Sequence, residues 1–266
     1  MTSIDKLGGE VRIHSIYHGL ARYRSAVELG WYDFVGRFRR SKIGVLWSPI
    51  QMGMFVGVIV LLLRKGLGDG EMSYALYVAI GFYAWDFISV SLTEGATHFT
   101  AQAGLIKNTP VSLTHITLRK VSFLFFRSLL NAPIPIIAIV FFGGELGFNL
   151  LWLLPAPILY ACFTYSCLIV FGVIGAYFVD FSHMTQTVAR FLFFTTPIIW
   201  QGDVGARKLI SDYNPFSYFI EIVRAPLSGN VISPTAWLVV IAASFGGLLL
   251  AVWVQTAFRT RLIYRL

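Results

Sequence analysis

The chain has 266 residues, of which 56% are hydrophobic, 16% aromatic and only 13% charged, and its mean hydropathy is +0.71. A soluble domain carries about 25% charged residues, and a water-facing globule of this size could not hide so much apolar surface. The composition excludes a disordered chain, a disulfide scaffold, a coiled coil and a cytosolic enzyme, and predicts an all-α integral membrane protein. The net charge of +8 then becomes a question of where the cations lie, and nucleic-acid binding is set aside.

In chain order, residues 1–42 hold eight Lys/Arg and no long apolar run, so no signal peptide is predicted and the first span acts as the insertion signal. Within them, positions 27–42 mix Trp31, Tyr32, Phe34, Val35 and Phe38 with Arg37, Arg39, Arg40 and Lys42. That pattern reads as an amphipathic helix lying in the membrane interface, or as a plain topology anchor. A membrane-crossing helix needs about 20 mostly apolar residues. Six segments offer that length, at 43–63, 72–93, 121–144, 151–178, 184–201 and 234–258. The fifth is the shortest and has a re-entrant segment as its alternative. Between spans 2 and 3, a connection of about 25 residues (95–120) exceeds a tight turn. Between spans 5 and 6, the apolar stretch NPFSYFIEIVRAPLSG is broken by Pro215, Pro226 and Gly229 and suggests short helices dipping into the bilayer. With the N-terminus inside, fifteen Lys/Arg fall on the cytoplasmic side, five outside, and Arg127 within a span. This bias predicts N-in, C-in topology. The whole chain, 1–266, reads as one domain without internal repeat.

Ionisable residues within spans are functional candidates by default. Asp86 either lines a water-filled path or reaches for the interface. Arg127 reads as snorkelling to cytoplasmic lipid phosphates. Placed at different depths by the predicted spans, the two are poor candidates for one ion pair. Trp47, Gln51 and Phe55 recur at i, i+4 and i+8 on span 1. They form either a surface on which sugar rings stack and hydrogen-bond or a helix-packing face. Phe191, Phe194 and Trp200 decorate span 5.

Much chemistry is absent from the pattern. There is no G-x-x-x-x-G-K-[ST] phosphate loop, H-E-x-x-H or G-x-S-x-G. His14 and His18 could share a helix face, but no third metal ligand lies near. Cys162 and Cys167 read as buried thiols. An enzyme acting on lipid carriers at the cytoplasmic face would have only the scattered Asp33, Glu94 and Asp180 to use.

Four segments resemble, in order, the polysaccharide-exporting ABC-2 type permeases. RFRRSKIGVLWSPIQ resembles the segment that leads into their first span. GLIKNTP resembles the "LIKK--FP" stretch of their first cytoplasmic loop. FVDFSHMTQTVARFLFFTTPIIW resembles the region of their fifth span, and YNPFSYFIEIVRAPLSG their "NP-------R--L-G" segment. Where that family often has Arg before the Asp, this chain has Val179, which leaves Asp180 alone. The resemblance implies the membrane subunit of an O-antigen, capsule, teichoic-acid or galactan exporter in the plasma membrane (the inner membrane of a Gram-negative host). It implies a homodimer joined by two copies of a soluble ATPase, with ATP and Mg on that partner and no cofactor or catalysis on this chain. Spans 1 and 5 would line a channel at the dimer interface, giving that role to Trp47, Gln51, Phe55, Phe191, Phe194 and Trp200, with Asp86 as a further candidate. Leu105, Ile106, Lys107, Asn108, Thr109 and Pro110 would form the ATPase-coupling loop. Arg37, Arg39, Arg40 and Lys42 are placed to attract the phosphate of a lipid-linked polysaccharide. The rival readings are a permease for a small lipid or drug and a membrane-embedded glycosyl- or phosphotransferase.

Overall fold

The computed structural model describes residues 20–38, 43–63, 74–109, 111–142, 148–200 and 205–266, with the side chains of 259, 260, 263 and 264 left aside. Arg39, Arg40, Lys42, Pro110, His14 and His18 lie outside the described residues. All the regular structure described is helical: α1 (Tyr23–Phe38), α2 (Trp47–Leu63), α3 (Tyr74–Thr97), α4 (Ala103–Asn108), α5 (Leu113–Asn131), α6 (Pro133–Phe142), α7 (Ala156–Tyr177), α8 (Phe181–Thr195), α9 (Ala206–Tyr213), α10 (Pro215–Leu227) and α11 (Pro234–Arg265). Helices are what an apolar solvent demands, since they satisfy the backbone polar groups internally.

Five helical segments among the described residues are long and apolar enough to cross a membrane: Gly44–Leu62, Tyr74–Thr97, Leu113–Phe142, Phe148–Tyr177 and Pro234–Phe258. The third joins α5 to α6 across Ala132, where Pro133 and Pro135 cannot continue the hydrogen-bond ladder unbroken. The predicted fifth span appears as α8, only 15 residues long, followed by a non-helical Thr196–Trp200 segment.

The long connection expected between spans 2 and 3 is largely helix. α3 continues to Thr97, a 3-10 turn covers Thr100–Gln102, α4 follows, and α5 begins at Leu113, eight residues earlier than predicted. The charges that made 113–120 look extramembranous have partners. Arg119 donates two hydrogen bonds to the Asp33 carboxylate of α1, and Lys120 pairs with Glu94 of α3.

α3 is the central helix, touching α2, α5, α6, α7, α8 and α10. Small residues let α7 come close to it. A Cβ on Gly175 would collide with the Ala96 carbonyl, and one on Gly95 would lie 2.9 Å from the Cys167 oxygen. Such small-residue contacts drive helix association where apolar burial gains little over lipid. Buried hydroxyls add polar ties, with Ser91 and Thr164 at 2.8 Å across the α3–α7 seam. A second core, around Phe99, Ile116, Leu168 and Leu262, lies at the α4 end. There Gln255 accepts from Tyr165 and donates to Thr114. α1 docks on α5 through Ala26, Gly30 and Phe34, with Phe34 in edge contact with Phe38 and Phe123. Cys162 and Cys167 are free thiols, the latter buried.

Candidate functional site

The packing face of α2 is Ser48, Met52 and Val56; the last two are buried, and Ser48 donates to Asn131 Oδ1 at 2.9 Å. The Trp47–Gln51–Phe55 ladder flanks that face and stays exposed. At its far end Phe55 stacks on Phe82 of α3, with ring centroids 4.5 Å apart and 6.0 Å from Phe193 of α8. The helix α8 divides into three faces. Thr185 and Ala189 are buried, while Met184, Val188 and Phe191 point away from the rest of the described chain. Between those two faces, Gln186, Arg190, Phe193 and Phe194 turn toward α3.

The result is a groove of about 390 Å³ between α2, α3 and α8. Its aromatic half is Phe55, Phe82, Trp85, Phe193 and Phe194. Its polar half is Ser89 and Thr93 of α3 opposite Gln186 and Arg190 of α8. Aromatic faces with a few hydrogen-bonding groups are the surface on which sugar rings bind by stacking and polar contact.

Of the predicted lining residues, Phe55 and Phe194 enter the groove. Trp47 and Gln51 lie on the same α2 flank toward its N-terminus, outside the groove. Phe191 is 74% exposed on the outward face of α8. Trp200 folds back to donate from its indole nitrogen to the Phe194 carbonyl at 2.9 Å. Asp86 is not in the groove. It accepts from Arg127 at 3.1 Å and from Asn131 at 3.2 Å, correcting the expectation that Asp86 and Arg127 sit too far apart in depth to pair. α3 extends past residue 93 and α5 starts before 121, so Asp86 falls near the middle of the span Tyr74–Thr97 and Arg127 near the middle of the span Leu113–Phe142. Through Asn131 and Ser48 this pair ties α2 to the body.

The segment closing α8 is gripped from several sides. Tyr77 donates to the carbonyls of Pro197 (3.0 Å) and Trp200 (2.9 Å), and Tyr74 to that of Ile199 (3.1 Å). Asn214 caps α10 by accepting from the Phe216 amide and donates to Thr196 Oγ1 at 2.8 Å. Arg224, on α10, donates to Pro197 O at 2.9 Å and lies 3.6 Å over the Tyr77 ring. Among the described residues no carboxylate pairs with it, and Gly81 leaves the space it occupies. The TPI and NP…R segments, about 20 residues apart, therefore form one joint with the start of α3.

α4 is anchored by buried Ile106, while Leu105, Lys107, Asn108 and Thr109 are exposed. Arg37 lies over the Phe123 ring at 5.6 Å. Two of the three carboxylates an enzyme would use, Asp33 and Glu94, are held in ion pairs. No group of three His, Cys, Asp or Glu able to hold a metal occurs among the described residues.

Sequence reasoning missed Phe82, Trp85, Ser89, Thr93, Gln186, Arg190 and Phe193. Their signal was available as periodicity: 82, 85, 89 and 93 share one helix face, as do 186, 190 and 194. The Arg224 joint had no such signal, because its partners come from distant positions.

The sequence profile of ABC-2 type transporters matches residues 25–228. Two proteins of Klebsiella pneumoniae, each described as an O-antigen export system permease protein RfbA, are 24% and 25% identical over 191 residues. Each match covers 71% of this chain and 74% of the relative.

Proposed function

The chain belongs to the ABC-2 type transporter family of multi-pass membrane proteins, and on that premise we propose that it is the permease subunit of an ATP-driven exporter of a lipid-linked polysaccharide. The observation that carries the reading is the aromatic and polar groove between α2, α3 and α8. A sliding polymer needs weak, repeated sugar contacts, and a line of rings meets that need better than a closed pocket. The chain's resemblance to two proteins described as O-antigen export permeases supports a glycan as cargo over a small lipid or drug.

In this reading two copies of the chain face each other across α2 and α8 in the plasma membrane, and each carries a soluble ATPase that binds ATP and Mg. The α4 segment, with Lys107 and Thr109 exposed, receives the ATPase stroke. Arg37 and its neighbours attract the phosphate of the carrier. Six crossings with both termini inside follow from the cation bias and from the reach of α8. Its 15 residues rise ~22 Å, and the turns of Thr196–Trp200 continue the chain beyond it toward the far side of the bilayer core. α9 and α10 dip into the outer leaflet.

The test is deletion of the gene in its own host, followed by analysis of surface glycan and of lipid-linked glycan inside the cell. Loss at the surface with accumulation inside, restored by the wild-type gene, is expected. An unchanged surface glycan with loss of a small lipid instead would overturn the cargo assignment.

A further inference from the structure

The groove is graded along its length. Phe82 and Trp85 of α3 meet Phe193 of α8, with ring centroids 6.0 and 6.2 Å apart, while the lining residues Ser89, Thr93, Gln186 and Arg190 lie further along the two helices from that aromatic contact. Arg190 is the single charged side chain among the lining residues, and no carboxylate lies among them. Among the described residues it forms no ion pair, whereas Arg119, Lys120 and Arg127 each have one. It is exposed, but on a different face of α8 from Met184, Val188 and Phe191: Arg190 lies one turn after Gln186 and one turn before Phe194, both groove residues. A cation beside the edge-packed rings of Phe193 and Phe194, with an amide and two hydroxyls among the same lining residues, matches a ligand carrying an oxyanion next to a sugar ring.

We propose that Arg190 is the anion-binding position of the groove, engaging a phosphate-type oxyanion attached to a sugar whose ring stacks on Phe193 and Phe194. Gln186, Ser89 and Thr93 hydrogen-bond the remaining oxygens or the adjacent sugar hydroxyls. The guanidinium offers two parallel donors to such an anion, a geometry that Lys supplies only as a point charge. The assignment rests on the groove being the export path. The oxyanion has two possible sources: the phosphate that joins the glycan to its lipid carrier, or an anionic substituent within the polymer.

The test uses the full chain in phosphatidylcholine nanodiscs and three probes: a monosaccharide on a polyprenyl phosphate, the same sugar on a neutral polyprenol, and the soluble sugar 1-phosphate. Wild type is expected to prefer the phosphorylated lipid over the neutral one by about tenfold to a hundredfold. Arg190→Ala, at an exposed position, is expected to erase that preference, and Arg190→Lys to keep part of it. Phe194→Ala is expected to weaken all probes alike. Binding of the soluble sugar phosphate would assign the site to the oxyanion wherever it occurs. Binding confined to the lipid-bearing probe would assign it to the carrier. A phosphate preference that survives in Arg190→Ala, while Phe194→Ala still weakens binding, overturns the role of Arg190 and leaves the groove standing. Binding unchanged in both variants overturns the groove itself, and this assignment with it.

Discussion

α2 and α3 are both long apolar helices, yet 72% of the α3 span is buried within the protein against 11% of the span containing α2. The more apolar of the two is the less buried, with mean hydropathies of 2.0 for α2 and 1.5 for α3. In water that order would be reversed. In a bilayer, apolar surface gains little by leaving lipid for protein, so packing follows small residues and polar ties instead. α3 has Gly81, Gly95, Ser91 and Asp86 at its contacts. α2 is tied to the body through the hydroxyl of Ser48. The comparison separates a fixed framework around α3, α5, α7, α10 and α11 from a lightly held wall formed by α2 and α8. A transport path bordered by the second group can change width without unfolding the first.

The sharpest way to break the contrast is to damage the framework. Gly175→Leu places a side chain against the Ala96 carbonyl, which backbone packing cannot yield. Loss of most folded protein is expected, read as a collapsed monodisperse fraction in detergent chromatography. A comparable change on the wall, Leu62→Ala at a 76% exposed position, should leave that profile unaltered.

Next comes the tie between the two regions. Asp86→Asn or Arg127→Met alone should lower stability by about 1–3 kcal/mol; a quarter or so of each side chain is exposed, so the penalty stays below that of a fully buried pair. The double variant should recover part of the loss, measured by thermal unfolding in detergent. Equal, additive losses would mean that the contact does not hold α2 to the body.

On the wall itself, Trp47→Ala should slow export while leaving assembly with the ATPase intact, and altering Lys107 with Thr109 should leave ATP hydrolysis running without export. Normal export in the first, or normal coupling in the second, would move those roles elsewhere.

The smallest effect concerns pH. His98, just past the end of α3, is buried against Thr117, with Nε2 3.1 Å from its hydroxyl. Burial, and secondarily the charge of Lys120, push its pKa down to about 3. The unfolded chain takes up this proton near pH 6.5 and the folded chain does not, so the contribution is complete above 6.5 and is lost progressively as pH falls toward 3. The unfolding temperature should therefore fall between pH 7.5 and 5, and His98→Gln should flatten that slope.

Hydropathy made the first, second, fourth and last spans legible, because their apolar runs end in charges or in turn residues. It cut the third short, because His115, Arg119 and Lys120 look aqueous until Asp33 and Glu94 are brought to Arg119 and Lys120 by helices from elsewhere in the chain. The same shortening placed Asp86 and Arg127 at different depths. Phe55 was found by spacing and Phe194 by the resemblance of its segment, whereas the periodic face of 82, 85, 89 and 93 did not say what it meets until α3 and α8 were seen side by side. Phe191 and Trp200 show the converse: a residue on the right helix can sit on its other face or fold back onto its own backbone.

The claim at the centre of this account is that the α2–α8 wall faces water during transport, although its outer surface is as apolar as a lipid-facing helix. Single cysteines at Gln51, Phe194 and Leu249 (73% exposed on α11, outside the wall), in a chain with Cys162 and Cys167 replaced by Ala, can be exposed in native membranes to a charged, water-soluble maleimide while the transporter is active. Rapid labelling at 51 and 194, with position 249 protected by lipid, is the predicted result. Protection at 51 and 194 equal to that at 249 would show a wall buried in lipid and would contradict the transport path drawn here.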